Sequence, residues 1–176
     1  IVSVEVYYTD QGLLAAGPEH RLDTMHQFWH YAAPQRHGDV WTAALPLGHA
    51  DRPLWVFANV RYQLDERVAG VGYYYGDYST STFNLSSLVT TRTAAEVEAA
   101  GVQPALQPAT LIEDFQGDWE KQWFTYRPEE WPRTTNKLNS DLWDAPADAQ
   151  LVIDVRAATA NTLVIRLDDY AAEVRV

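Results

Sequence analysis

The first residues of the chain alternate between apolar and polar side chains. Val2, Val4, Val6 and Tyr8 alternate with Ser3, Glu5, Tyr7 and Thr9. A period of two places neighbouring side chains on opposite faces of an extended backbone, so this pattern predicts a half-buried β-strand. Residues 54–60 are almost continuously apolar, which predicts a strand covered on both faces. Both patterns constrain the fold to one built on β-sheet.

The rest of the first hundred residues continues the β pattern and adds one short helix. Aromatic and alternating residues predict three more strands, at residues 27–32, 40–46 and 82–88, and Gly70, Gly72 and the tyrosines at 73–75 predict another with a bulge or kink. Thr93 and Glu96 have the spacing of a helix capping box, and Gly101 stands where a left-handed residue ends a helix. The predicted fold class is therefore all-β, with one short helix at residues 93–100.

Two prolines indicate a boundary within the chain. Pro104 and Pro108 interrupt regular structure, because proline has no backbone N–H to donate. We therefore predict two units, residues 1–103 and residues 104–176. Strands of the second unit are predicted to begin at Leu111 and to include two alternating or apolar runs, at residues 151–156 and 162–167.

The second unit opens with a window rich in tryptophan, residues 111–143, which we call the tryptophan window. Four of the seven tryptophans of the chain lie in it: Trp119, Trp123, Trp131 and Trp143. Flat apolar rings beside carboxylate and amide groups suit a ligand that is polar at its edge and apolar on its face, as sugars are. Lys137 and Asn136 are the predicted hydrogen-bonding partners of such a ligand. In the alternative interpretation, the rings are core and both polar residues close a turn.

Charge and motif content argue against several other functions. The formal net charge is −11 and no run of Lys and Arg offsets it, so neither nucleic acid nor a membrane surface is an expected partner. The absence of cysteine excludes thiolate nucleophiles and cysteine-based zinc sites. No Gly-x-Ser-x-Gly elbow or phosphate-binding glycine loop occurs. Adjacent carboxylates such as Glu113 and Asp114 would point to opposite faces of a strand. Catalysis by an undetected kind of site is the least favoured hypothesis.

Two parts of the chain resemble known families. Residues 41–47 and 53–62 read Trp-Thr-Ala-Ala-Leu-Pro-Leu and Pro-Leu-Trp-Val-Phe-Ala-Asn-Val-Arg-Tyr. They resemble the β-rich region that follows the catalytic domain in some secreted bacterial α/β-hydrolases. Residues 111–115, the two tryptophans that follow them and residues 135–146 resemble the opening strands of galactose-binding-like jelly rolls, which occur as carbohydrate-binding modules.

These resemblances extend the predictions. They imply a β-sandwich of fibronectin or immunoglobulin type at residues 1–103, followed by a jelly-roll-like unit at residues 104–176 that is shorter than the usual eight or so strands. Galactose-binding-like sandwiches often carry a structural calcium ion, for which Asp114 and Asp118 are the candidate ligands. The alternative is that both aspartates cap a turn.

The predicted function is that of a non-catalytic accessory module, which binds a glycan for a secreted or periplasmic bacterial enzyme that acts on carbohydrates or esters. The alternative is a structural module whose aromatic surface packs against the catalytic domain of the parent enzyme or against a partner subunit. A groove with convergent polar groups would favour glycan binding, whereas a flat patch depleted in charge would favour packing.

Overall fold

The computed structural model of the chain describes residues 1–11, 27–72, 76–107, 109–125, 133–140, 142–143, 147–169 and 174–175. Most regular structure in these residues is antiparallel β-sheet, with a single short α-helix. The all-β fold class predicted from the sequence is therefore confirmed. None of the described helices has the length and apolar character that would let it span a bilayer.

The elements follow one another along the chain in a simple order. The strands are β1 (Ser3–Thr9), β2 (His30–Ala32), β3 (Gln35–His37), β4 (Val40–Thr42), β5 (Leu54–Gly72), β6 (Gly76–Ser86), β7 (Thr90–Arg92), β8 (Asp168–Asp169) and β9 (Val174–Arg175). The helix α1 is Ala94–Ala99, and two 3₁₀ turns are Trp119–Gln122 and Lys137–Asn139. The main sheet has the order β2-β1-β5-β6, and β7 also pairs with β5. β3 with β4 and β8 with β9 form separate hairpins.

The alternation in β1 sorts its side chains between two faces of the main sheet. Tyr8 is 2% exposed and belongs to a core cluster with Ala32, Leu47 and Val97, against which Val56 and other apolar residues pack. Tyr7, the residue before Tyr8, points to the opposite face of the sheet. Its ring stacks on Phe57, with the ring centroids 5.4 Å apart. The sheet therefore has a core face and an opposite, aromatic face.

Local sequence signals place the turns and the helix correctly. Gly38 adopts a φ of +64° in the turn between β3 and β4. At α1, the Thr93 side chain accepts a hydrogen bond from the backbone N–H of Glu96, and the Glu96 side chain accepts one from the backbone N–H of Thr93. Gly101 has a φ of +68° after the helix, as predicted. Val97 is the buried residue that attaches α1 to the core cluster.

The strand β5 extends well beyond the predicted residues 54–60. It pairs with β6 from Asn59 opposite Ser86 to Gly72 opposite Gly76, with an irregularity between Gln63 and Val68. The additional length has few apolar residues, so no apolar run marks it in the sequence. The partner strand stabilises this part of β5, because each strand satisfies the backbone hydrogen-bonding groups of the other.

The predicted strands at residues 151–156 and 162–167 are not formed. Residues 147–167 contain neither helix nor strand, and apolar side chains such as Val152 and Val164 are each 80% exposed. The run predicted to start at Leu111 is also irregular. An alternating pattern needs a neighbouring strand and a buried face to become a sheet, and no described strand pairs with these residues. The sandwich architecture stays a prediction.

Contacts join the two predicted units across the proposed boundary. The Leu47 carbonyl accepts hydrogen bonds from the backbone N–H groups of Ala105 and Leu106, at 2.8 and 2.9 Å. The Gln11 side-chain amide donates to the carbonyl of Asn139 at 2.5 Å. The boundary between residues 103 and 104 stays a prediction, and the tryptophan window lies directly against the main sheet.

Candidate functional site

The tryptophan window packs on the aromatic face of the main sheet. Lys121, in the first 3₁₀ turn, forms an ion pair with Glu5 of β1 and lies 6.0 Å from the centroid of the Tyr31 ring. Its neighbour Gln122 accepts a hydrogen bond from the backbone N–H of Tyr31 at 3.4 Å. The sheet carries these partners because Glu5, Tyr7 and the paired Tyr31 point to one face.

A cleft of about 220 Å³ lies where the window meets the sheet. The described residues that line it are aromatic or polar: Tyr7, Phe28, Trp29, Trp123 and Phe124, and Gln27, Lys121, Gln122 and Asn136. Many binding sites combine apolar walls with a few convergent polar groups in this way. The volume is below the roughly 300 Å³ at which pockets for drug-sized ligands begin, so it matches one small ring.

Backbone pairing holds the two sides of the window together beside the cleft. Phe124 and Thr134 exchange two backbone hydrogen bonds, at 2.8 and 2.9 Å. The hydroxyl of Thr135 donates to the carbonyl of Gln122 at 2.8 Å. These bonds keep Asn136 next to Gln122, although the two residues belong to different turns.

A carboxylate anchors the window internally. The Glu113 carboxylate accepts a hydrogen bond from the indole N–H of Trp123 at 2.8 Å and from Lys137 Nζ at 2.7 Å. Lys137 Nζ also donates to the carbonyl of Ile112 at 3.0 Å. Burial alone would raise the pKa of Glu113, but the hydrogen bonds from Lys137 and Trp123 outweigh it and hold that pKa below its usual value.

Charge in and near the cleft is balanced. Burial, followed by the negative charge of Glu5, raises the pKa of Tyr7 well above its usual range, so the phenol stays protonated. The Tyr7 hydroxyl donates to Glu5 at 3.2 Å, and Lys121 pairs with the same carboxylate. Lys121, the one cation among the described residues that line the cleft, is therefore already paired within the protein.

The structure places only some of the predicted ligand-binding residues at the cleft. Trp123 and Asn136 line the cleft, whereas Lys137 is engaged by Glu113. Trp119 is half-buried in a ring cluster with Trp123, at a centroid distance of 6.1 Å. Trp143 is half-buried and does not line the cleft. Trp131 lies outside the described residues.

Several residues at the site were not predicted from the sequence to belong to it. Tyr7 comes from β1, and Gln27 and Trp29 come from the run at residues 27–32; for both segments the sequence pattern predicted only a strand. Phe115 and Phe124 are 51% and 42% exposed, more than the tryptophans of the window that the structure describes. A large apolar residue set between turn residues, as in Asp-Phe-Gln-Gly, is the signal that would have indicated Phe115.

The two predicted calcium ligands do not form a metal cluster. Asp114 Oδ1 accepts a hydrogen bond from the backbone N–H of Gln116 at 2.8 Å, so it caps a turn. Asp118 precedes the first 3₁₀ turn, and its carbonyl accepts the N–H of Lys121 at 2.9 Å. No group of three or more His, Asp or Glu side chains in the described part of the chain converges as a metal site, whereas calcium takes six to eight oxygens or so. Calcium binding stays a prediction.

No protein family, curated protein or solved structure matches this chain. Residues of the site itself are therefore the basis for assigning a function. The strongest feature of the site is the cleft, in which aromatic rings from both predicted units accompany amide groups and Lys121, which pairs with Glu5.

Proposed function

We propose that the protein is a glycan-binding accessory module and that the cleft between the window and the main sheet holds one sugar ring. The observation that carries the proposal is the composition of the cleft wall, in which Trp29, Trp123 and Phe124 accompany the amide side chains of Gln122 and Asn136. Aromatic rings bury the apolar face of a sugar, and amide groups donate to and accept from its hydroxyls.

The balanced charge of the cleft favours a neutral sugar. Lys121 already pairs with Glu5, so an anionic sugar would have to compete with that carboxylate. The cleft thus offers hydrogen bonds and ring surface without a net electrostatic attraction for acid groups. A neutral polysaccharide is the ligand class that these groups suit.

Binding without catalysis is the second part of the proposal. Glycoside hydrolysis commonly needs two carboxyl groups on either side of the scissile bond. In the described part of the chain, Glu5 and Glu113 hydrogen-bond to residues that line the cleft, and each is engaged by a lysine. The attachment to a secreted or periplasmic bacterial enzyme that acts on carbohydrates or esters rests on the sequence resemblance alone.

A panel of neutral and acidic polysaccharides in affinity electrophoresis tests this function. We expect at least one neutral polysaccharide to retard the protein, with and without added calcium. Phe124→Ala should weaken binding by up to about tenfold, since an aromatic contact contributes about 0.5–1.5 kcal/mol. Phe83→Ala is the matched control, because Phe83 is 40% exposed on β6 and does not line the cleft. Lack of retardation by every polysaccharide would overturn the proposal.

Packing against another protein is the second candidate function. The exposed apolar side chains within residues 151–167, among them Val152 and Val164 at 80% each, support it. Exposed apolar surface, where it is extensive, often marks an interaction site. Under this alternative, Val152→Ser with Val164→Ser would reduce self-association or aggregation in light scattering, while Phe124→Ala would leave it unchanged.

A further inference from the structure

One exposed aromatic residue of the tryptophan window has an unfavourable backbone conformation. Phe115 has a φ of +56°, the one positive value among the non-glycine residues that the structure describes. Bulky residues are strained in this region, because Cβ approaches the backbone carbonyl oxygen. Gly117, two residues later, has a φ of +57° without that penalty. Glycine would therefore suit position 115 better than phenylalanine if only the backbone mattered.

The surrounding turn imposes this conformation. Glu113 Oε1 accepts hydrogen bonds from the backbone N–H groups of Asp114 and Phe115, each at 3.2 Å. The other oxygen of the same carboxylate accepts from Trp123 and Lys137. Phe115 is thus held in position through Glu113 by the residues that anchor the window.

Burial does not explain why a phenylalanine occupies this strained position. Its side chain is 51% exposed, and its ring meets Trp119 edge to face, with the centroids 5.2 Å apart. The other rings of the cluster are less accessible. The Arg133 guanidinium lies over Trp119 at 5.7 Å, and the indole N–H of Trp123 is bonded to Glu113. Of these three residues, Phe115 is the most exposed to solvent.

Trp123 connects this ring to the cleft. It lines the cleft, and its ring centroid lies 5.8 Å from that of Phe115. Phe115 is therefore one ring away from the cleft, on the other side of a contact with Trp123. Strained residues that surrounding contacts hold in place are concentrated at binding sites, where the strain presents a side chain to a ligand.

We propose that Phe115 is a ligand-contacting residue, which forms a second apolar subsite for the next sugar of a chain whose first ring occupies the cleft. The inference rests on the proposed glycan-binding function. It specifies the ligand further, as a neutral oligosaccharide or polysaccharide rather than a single sugar. Phe115 then contributes affinity for ligands of two or more linked sugars and none for a single sugar.

The variants Phe115→Gly and Phe115→Ala distinguish the effect of backbone strain from the effect of losing the contact with the ligand. Both variants remove the ring, but only glycine removes the strain, so Phe115→Gly should melt at a higher temperature than Phe115→Ala. In titrations with a monosaccharide and an oligosaccharide from the polysaccharide that retards the wild type, both variants should weaken oligosaccharide binding about tenfold. Their affinity for the monosaccharide should equal that of the wild type. Phe115→Tyr should keep the full affinity.

Leu111→Ala is the control, because Leu111 is 64% exposed and precedes the same turn. It should leave both affinities unchanged. Oligosaccharide binding by Phe115→Gly that equals the wild-type value would overturn the second subsite while leaving the cleft proposal intact. A Phe115→Ala variant that melts at or above the temperature of Phe115→Gly would also overturn it, because the strain would be absent. If the wild type binds no saccharide, the glycan-binding function fails, and this inference with it.

Discussion

Lys137 Nζ lies 2.7 Å from Glu113 Oε2, and the two side chains are 12% and 8% exposed. This ion pair joins the second 3₁₀ turn to the opening of the tryptophan window. It also fixes the Trp123 indole, which donates to the same carboxylate oxygen. Lys137, which was predicted from the sequence to bind a sugar, therefore stabilises the residues around the cleft.

Removing the cation should destabilise the protein strongly. Lys137→Met leaves the Glu113 carboxylate buried without its main partner, and breaking such a pair costs about 3 kcal/mol. We expect a loss of that size in the free energy of unfolding measured with urea. Lys121→Met is the matched control, since Lys121 and Glu5 are more exposed and such pairs contribute about 1 kcal/mol or less. Equal losses in both variants would contradict this assignment.

The same pair should make stability depend on pH. The folded state lowers the pKa of Glu113, so its contribution is complete above the pKa of the unfolded chain and is lost as the pH falls through the lower, folded value. We expect the difference in free energy of unfolding between the wild type and Glu113→Gln to shrink between about pH 6 and about pH 3. Circular dichroism during chemical denaturation at each pH measures it.

Glu96 provides the control for that experiment. Hydrogen bonds from Thr93 lower the pKa of the Glu96 carboxyl as well, but Glu96 lies on the exposed side of α1. When Glu96→Gln is also present, the change in free energy of unfolding that Glu113→Gln causes should still depend on pH. A difference that stays constant over the whole range would show that Glu113 has no lowered pKa.

The capping box should contribute measurably to stability. Thr93→Ala removes the side chain that accepts the backbone N–H of Glu96, and loss of such a cap costs about 1 kcal/mol. Thr93→Ser should restore most of the loss, because serine keeps the accepting hydroxyl. Thermal denaturation of the three proteins checks the order. A Thr93→Ser variant as unstable as Thr93→Ala would indicate that the threonine methyl group matters instead.

Proteolysis should distinguish two exposed arginines by their backbone. Arg156 lies in the irregular residues 147–167, whereas Arg61 lies in β5, where β1 and β6 pair with it. We expect trypsin to cut after Arg156 well before it cuts after Arg61, because cleavage needs an extended backbone without partners. Mass spectrometry of timed samples gives the order. Resistance at both sites would imply that residues 147–167 are protected by contacts.

Features that depend on neighbouring residues were predictable from the sequence. The alternation of β1, the capping box at Thr93 and the left-handed Gly101 each involve groups a few residues apart, so local chemistry determines them. The all-β class follows from the same patterns. The tryptophan window was recognised by its composition, and Trp123 and Asn136 do line the cleft.

Features that depend on distant partners were decided by the tertiary structure. The strand β5 continues to Gly72 because β6 pairs with it, whereas the more apolar residues 151–156 form no strand, since no described strand pairs with them. The cleft combines Tyr7 with Trp123, and Phe115 is exposed because Glu113 and Lys137 hold its turn. A sequence pattern records which side chains could be buried or paired. Which partners they meet depends on contacts between residues that are far apart in the chain, and no local pattern specifies those contacts.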